Sequence, residues 1–517
     1  MKGRPTFTRF AATTLLLLLL TQGAGAWPGS GTSGDPYLIS SADDWNLLAD
    51  NVNAGTNYAG KYFRQTGDFT VSSKILGYPI EDEIFVTFNG IYDGNGHTIN
   101  ASISKSDERY VAPFHCIANA TIKNVIVTGS VTVSGTAAID RRRHPAGLVG
   151  VTGGTCIIQN CRVSADVSGC DYLGGILGHS MHANLTMSGC VYTGKITALG
   201  TNYTGGLIGW GGGTSNLNVS IENCLFAGSY SGSGKFHPIG CYYTPDTDNR
   251  SVSNTYYTVA TNTNENDGSL FVKGLSNKGK MRYSITAGTY VTISGLGTAT
   301  AAYDVSGITA YGTGIKYNDV YYAGGDESVS ITISHATRAG YTFSQYTVSG
   351  GGSLTTPSTF AMSAANQTIN SEWTVDANLA VPVASATILG ETKYVTTFYN
   401  GTLDYRLPTG ALAYTAGKVD EKVVFYRIGP NSDVIPAKTA VIILADASAV
   451  SDGKITMAKL DSTTISPREG NILTGSDAEI TPSGTVYVLG KDDGGVLGFY
   501  PLDGNTVPAG KAYYVVN

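Results

Sequence analysis

Gly147-Leu148-Val149-Gly150 returns 28 residues later as Gly175-Ile176-Leu177-Gly178, and after a further 31 as Gly206-Leu207-Ile208-Gly209. Ala112-Pro113-Phe114-His115 is a degenerate earlier copy, and Pro238-Ile239-Gly240 a degenerate later one. Each copy leads into a second motif, in the order Ile122-Lys123-Asn124-Val125, Ile158-Gln159-Asn160-Cys161, Met187-Ser188-Gly189-Cys190, Ile221-Glu222-Asn223-Cys224 and Val252-Ser253-Asn254-Thr255. Self-similarity at a period of about thirty residues marks a stacked array. Inside each unit, short runs of alternating apolar and polar residues are separated by Gly, Ser or Asn, which is the pattern of strands and turns. One such turn cannot bury its own apolar face, whereas stacked turns bury a continuous core. The expected fold is all-β, with a parallel β-solenoid in the first half.

In such a stack, equivalent positions lie above one another at the inter-strand spacing of about 4.8 Å. Val125, Cys161, Cys190, Cys224 and Thr255 then form an inward column of small side chains. Asn124, Asn160, Asn223 and Asn254 form a neighbouring column at a bend, a place where Asn bonds to backbone. Gly147, Gly150, Gly175, Gly178, Gly206 and Gly209 make corners or admit close packing. All seven cysteines (116, 156, 161, 170, 190, 224 and 241) fall in this half. An odd number argues against a closed disulfide framework, and free buried thiols serve as small apolar residues. Their spacing matches no zinc-site pattern, so neither a metal nor a cofactor is expected.

Upstream, Gly31-Thr32-Ser33-Gly34-Asp35-Pro36-Tyr37-Leu38-Ile39 reads as a turn and a first strand. Ser41 to Asn51 reads as a helix with Ser41 and Asp44 spaced as a capping box, placed to cover the open end of the coil. Further out, Lys2, Arg4 and Arg9 precede the apolar run Leu15 to Leu20, and Ala24-Gly25-Ala26 follows. That is the layout of a secretory signal peptide over residues 1–26, cleaved after Ala26. The expected location is extracellular or at the cell surface, with no transmembrane segment in the mature chain.

The glycine-framed units, with Asp35-Pro36-Tyr37-Leu38-Ile39 and Asp93-Gly94-Asn95-Gly96-His97-Thr98-Ile99 upstream, resemble the GLUG-motif proteins of bacterial cell surfaces. The resemblance spans residues 28–262 and implies a right-handed parallel β-helix over 27–262. Its relatives include surface proteins, adhesin-like chains and accessory regions of secreted peptidases, and no peptidase motif is attached here. A polar linker over 263–282 follows. Residues 283–374, with Gly340-Tyr341-Thr342-Phe343-Ser344 and Trp373, are similar to internalin-type B repeats, which implies a stalk or interaction module. Residues 380–517 hold an internal echo. Phe425-Tyr426-Arg427-Ile428 leads to Val434-Ile435-Pro436-Ala437-Lys438, and Phe499-Tyr500-Pro501-Leu502 leads to Val507-Pro508-Ala509-Gly510-Lys511. Two small β domains are therefore expected after the coil.

The chemistry is sparse. A net charge of −6 with a single cationic run, Arg141-Arg142-Arg143-His144, gives no footing for nucleic acid, and the run reads as a solvated loop. Asp93 and His97 are the candidate acid/base pair if the chain is an enzyme, since β-helices host polysaccharide lyases and hydrolases. The same Asp-Gly-Asn-Gly string is also a strong turn signal. Asp140, Asp166, Asp171 and Glu222 are scattered over different unit positions rather than paired on one face. Tyr399, Tyr405 and Tyr426 could stack on sugars only if exposed. The sequence thus reads as a non-enzymatic, monomeric, adhesin-like binder of glycan or of a host or surface protein. A polysaccharide-active enzyme and a purely structural spacer are the alternatives.

Overall fold

The computed structural model describes residues 27–516 except 82–83, 136–142, 201, 213–217, 244–249, 261–271, 275–279, 339–340, 357, 377, 421, 429–432, 461–465, 467–468, 493 and 503–505. The expected signal-peptide segment and most of the expected linker thus lie outside the described residues. Contacts divide the chain into two compact units. The first takes in the chain up to Ile285 together with Gly295–Ser330 and Thr359–Asn366, and the second holds Thr286–Ser294, Ile331–Ser358 and Gln367–Asn517.

The first unit is built on a β-solenoid of about five turns. One parallel sheet runs through Tyr37–Ile39, Tyr62–Gln65, Ile91–Asp93, Thr121–Lys123, Val149–Gln159, Leu177–Ser188 and Ile208–Gly212. The other stacks Phe69–Val71, Thr98–Ser106 and Ile126–Ser134 in parallel register, Ile99 beside Phe69 and Val127 beside Ile99, and continues through Arg162–Val163 and Asp166–Gly169. Ile99, Val127, Val163, Tyr192 and Phe226 from one sheet meet Ile122, Ile158, Met187 and Ile221 from the other in a core without solvent access. The unequal sequence steps come from loops of different length, because register is kept at the motifs: Gln159 sits beside Lys123 and Ser188.

The motif glycines are required by close approach. A Cβ on Gly150, Gly178 or Gly209 would lie 1.5, 2.1 or 2.4 Å from the carbonyl oxygen of Tyr110, His144 or Tyr172. A Cβ on Gly147, Gly175 or Gly206 would lie 2.6, 2.2 or 2.0 Å from the carbonyl oxygen of Gly175, Gly206 or Pro238 on the next turn. No side chain fits at either position without moving backbone.

The helix spans Ala42–Asn53 and is capped as its sequence indicates. Ser41 Oγ accepts from the Asp44 amide at 3.3 Å, while Asp44 Oδ2 reaches back one residue further than expected and accepts from the Ser40 amide at 2.9 Å. Trp45, Leu48, Ala49 and Val52 form its buried face. The Trp45 ring meets Phe114 at 5.1 Å and Tyr92 at 5.9 Å, and its Nε1 donates to the Lys74 carbonyl at 2.9 Å. The helix thereby packs on the first turns of the coil.

Within the same unit, Ala299–Tyr303, Ile308–Tyr311, Gly314–Tyr317 and Val320–Gly324 form an antiparallel meander. Ile308, Ile315 and Tyr317 cluster with Val191, Leu225 and Tyr256 of the solenoid. These outward apolar positions on the last turns explain why this stretch belongs with the coil.

In the second unit, Tyr341–Ser349 pairs antiparallel with Gln367–Val375, setting Phe343 opposite Trp373. His335 stacks on Phe343 at 3.8 Å. A five-stranded antiparallel sheet follows, ordered Ala384–Ile388, Glu391–Phe398, Val441–Ala445, Ala411–Val419 and Lys422–Arg427. Phe398, Ile443, Tyr405, Ile455 and Met457 form the core between it and a second sheet that contains Asn378–Pro382, Lys454–Leu460 and Asp404–Arg406. Tyr405 is fully buried there, and Tyr399 and Tyr426 are half-buried.

The internal echo has a topological counterpart. The order Glu391–Phe398, Val441–Ala445, Ala411–Val419, Lys422–Arg427 recurs as Leu473–Gly475, Ala512–Val516, Thr485–Lys491, Leu497–Pro501.

Candidate binding face and the columns of the coil

Asn124, Asn160, Asn223 and Asn254 each adopt the left-handed backbone region, with φ of 56°, 52°, 53° and 43°. Asn tolerates that conformation better than any residue but Gly. Their side chains are linked: Asn160 Nδ2 donates to Asn124 Oδ1 and Asn254 Nδ2 to Asn223 Oδ1, each at 2.7 Å. The column starts on Asp93, whose Oδ1 accepts from Asn124 Nδ2 at 2.8 Å.

It is interrupted once, at Gly189, where φ is 59° and no side chain exists to carry the ladder on. The Tyr303 ring lies there instead, so that a Cβ on Gly189 would fall 1.9 Å from Tyr303 Cδ1. Asn223 Nδ2 donates to the Tyr303 hydroxyl at 3.1 Å, and Asn160 Oδ1 accepts from the Ser306 amide at 3.1 Å. The meander is thus keyed into the one gap in the ladder. Gly189→Asn should displace Tyr303 and loosen the meander from the coil, seen as earlier proteolysis within 295–330, while Gly34→Ala, where nothing stands within 4 Å, should leave the digest unchanged.

Cys161, Cys190 and Cys224 are wholly buried and adjacent, with the Cys190 amide 3.5 Å from Cys224 Sγ. All seven cysteines are free thiols. Burial, with the neighbouring thiols, pushes the Cys190 thiol well above its ordinary range, which disfavours its thiolate.

The structure separates the candidate acid/base pair. Asp93 Oδ1 accepts from the Asn95 amide at 2.9 Å as well as from Asn124, and its Oδ2 lies 3.5 Å from Lys123 Nζ. His97 turns to Asp68, with Nδ1 and Oδ1 3.2 Å apart. The Thr98 amide, and then His97, hold the Asp68 carboxyl below its ordinary value despite a small opposing effect of burial. Asp93 terminates a hydrogen-bond column, and its remaining oxygen faces a cation.

The cationic run departs from the solvated loop expected for it. Arg141 and Arg142 lie outside the described residues, but Arg143 and His144 are both buried to within 1% of full burial. Arg143 forms ion pairs with Asp107 and with Asp171, the latter at 3.5 Å, and Asp171 accepts from Asn202 Nδ2 at 2.7 Å. Around this pair runs an aromatic wall that the sequence did not announce. His144 stacks on His179 at 4.5 Å and on Tyr172 at 5.1 Å, and Tyr172 meets Trp210 at 4.7 Å. These residues occupy two recurring places, three before the first motif glycine and one after the second, where residue type changes from turn to turn.

Nearby, His115 is fully buried, its Nε2 donating to the Arg109 carbonyl at 2.5 Å. Burial lowers its pKa to about 4, against the opposing pull of Glu108 and of that hydrogen bond. Between pH 6.5 and 4 the unfolded chain therefore binds a proton that the folded chain does not. Stability should fall as pH drops through that window, by up to about 3 kcal/mol from this group. Denaturant midpoints of wild type and His115→Gln at pH 7 and 4.5 check this, with the smaller drop expected in the variant.

The exposed side of the second sheet is flat and carries hydroxyls in register. Ser102, Ser130, Asp166, Lys195 and Ser229 make one column, and Ser104, Thr132, Ser168, Thr197 and Ser231 the next. Thr70, Asn100 and Thr128 make a third, with Asn100 Nδ2 donating to Thr70 Oγ1 at 3.2 Å. Rows repeat at about 4.8 Å along the coil and at roughly 6.6 Å along each strand. One Asp and one Lys are the only charges in these columns. No group of three or more metal-ligating side chains occurs among the described residues, and no helix among them is long and apolar enough to cross a membrane.

No family model matches the chain. Part of it is similar to halomucin of Haloquadratum walsbyi, 31% identical over 189 residues, which is 34% of this chain and 2% of halomucin's length. A solved structure, described as a putative immunoglobulin A1 protease from Bacteroides ovatus, aligns at 17% identity over 46% of this chain and 81% of its own, with a TM-score of 0.30.

Proposed function

We propose that this is an exported cell-surface or extracellular binding protein of the adhesin-like kind, a right-handed GLUG-type solenoid followed by an internalin-type module and a duplicated terminal domain. Its ligand lies along the flat hydroxyl face and is an extended glycan or a strip of another surface protein. The observation that supports this reading is the register of that face, ten hydroxyl- or charge-bearing positions in two straight columns. Such a lattice offers donors and acceptors at the inter-strand repeat, which suits a polymer of hydroxyl-bearing units better than a small molecule. The partial likeness to halomucin, a mucin by name, fits a role outside the cell.

Binding is favoured over catalysis because Asp93 is engaged in the Asn column and His97 is paired with Asp68. The test is a screen of residues 27–517 against glycan and matrix-protein arrays, with products analysed. Retention of intact ligand supports the proposal. Released oligosaccharides would instead establish the polysaccharide-active enzyme, and an empty array would leave the spacer.

A further inference from the structure

Two adjoining cavities lie between the duplicated halves of the second unit. The larger, of about 870 Å³, has Val395, Ile442 and Leu444 of the five-stranded sheet on one side and Leu489 and Phe499 of the duplicate on the other. Among the described residues no charged one lines it, and Val423, Phe425 and Val496, 46%, 50% and 61% exposed, mark its open side. The smaller, of about 460 Å³, shares Val395, Leu489 and Leu497 with it. The charged residues described in its walls are both cations, the exposed Lys491 and the half-buried Lys511. Lys511 Nζ donates to Thr396 Oγ1 at 2.9 Å. Burial lowers the pKa of this ammonium, and no acid among the described residues offsets it. The turn that carries Lys511 does not itself need a cation. The turn is repeated in the first copy, where the Lys438 amide donates to the Asn400 carbonyl at 2.7 Å as the Gly510 amide does to the Ser476 carbonyl at 2.8 Å, with φ of 61° and 73°. Lys511 therefore falls at the place of Thr439, a neutral residue.

We propose that the two cavities together hold an alkyl carboxylic acid, with its chain in the larger and its carboxylate on Lys511 in the smaller. An ammonium drawn out of water without an anion is costly, and a bound carboxylate supplies the missing partner through a charge-assisted hydrogen bond. The larger cavity has the form of a small-molecule site, a concave apolar space with few polar groups. Thr387 and Tyr414 carry the only side-chain hydroxyls described in its walls, which suits an unsubstituted chain better than a polyhydroxylated ligand. This inference is independent of the hydroxyl face.

The probe is decanoate, titrated by calorimetry into residues 27–517 below its micellar concentration. One molecule should bind per chain, and decanol, with the same chain length and no charge, should bind about tenfold more weakly or worse. This comparison uses the unaltered protein and depends on no variant folding. Lys511→Met should bring decanoate down to the level of decanol and leave decanol unchanged, while Lys511→Arg, which keeps the charge, should keep most of the difference. Phe425→Asp, at the exposed opening, should weaken both ligands about tenfold. Absent binding of decanoate, equal binding of the two ligands, or decanoate binding unchanged in Lys511→Met overturns the proposal. So does tighter binding of decyl phosphate, which would make the head group a phosphate. A dimer that Phe425→Asp dissociates overturns it as well, since a second copy would then cover the opening.

Discussion

Alanine at Gly150 is expected to abolish folding of the coil, or to cost more than about 3 kcal/mol if it folds at all. The added Cβ would fall 1.5 Å from the Tyr110 carbonyl oxygen and 2.5 Å from that of His115. Both obstacles are backbone, and both are held by the turns they belong to, so relief requires the turns to separate. Gly178→Ala meets the same problem at 2.1 Å from the His144 carbonyl oxygen. Gly34→Ala, with open space around it, should change stability by less than about 0.5 kcal/mol. Thermal and denaturant unfolding of the three variants measures the difference.

Asp171→Ala should cost about 3–5 kcal/mol, because it removes one partner from a buried ion pair. Arg143 and Asp171 are both about 2% exposed at the side chain. Losing Asp171 also strips Asn202 Nδ2 and the Arg143 amide of their acceptor. The double variant Arg143→Met with Asp171→Leu should recover most of the loss, since two apolar side chains need no partner. If the double variant were as unstable as the single, the pair would be held by more than its charges. Denaturant midpoints at neutral pH decide between these outcomes.

The sequence carried the coil because its constraints repeat: a left-handed bend filled by Asn, a small inward residue after it, and glycines facing backbone. Each is a local requirement met at the same place on every turn. The ladder could be read even through its gap, since Gly189 supplies the backbone conformation of the missing Asn. What fills the gap could not be read, because Tyr303 comes from a stretch that repeats nothing. The His144, His179, Tyr172 and Trp210 wall was hidden for a related reason. Its places recur but its residues do not, so no periodicity marks it. Arg143 looked solvated because a run of like charges usually is, and its acidic partners stand 36 and 28 residues away. The hydroxyl face was not read from the sequence, because its straight columns depend on register.

The most direct test of the binding face is to obstruct it. Arginines at Ser130 and Thr197 would stand in adjoining columns and break the hydroxyl lattice without entering the core. Thr186→Arg, at an exposed position on the other sheet, is the matched control. Binding of the ligand retained in the array screen should be lost in Ser130→Arg/Thr197→Arg and kept in Thr186→Arg. Undiminished binding by the face variant would contradict the account and move the site off the solenoid's second sheet.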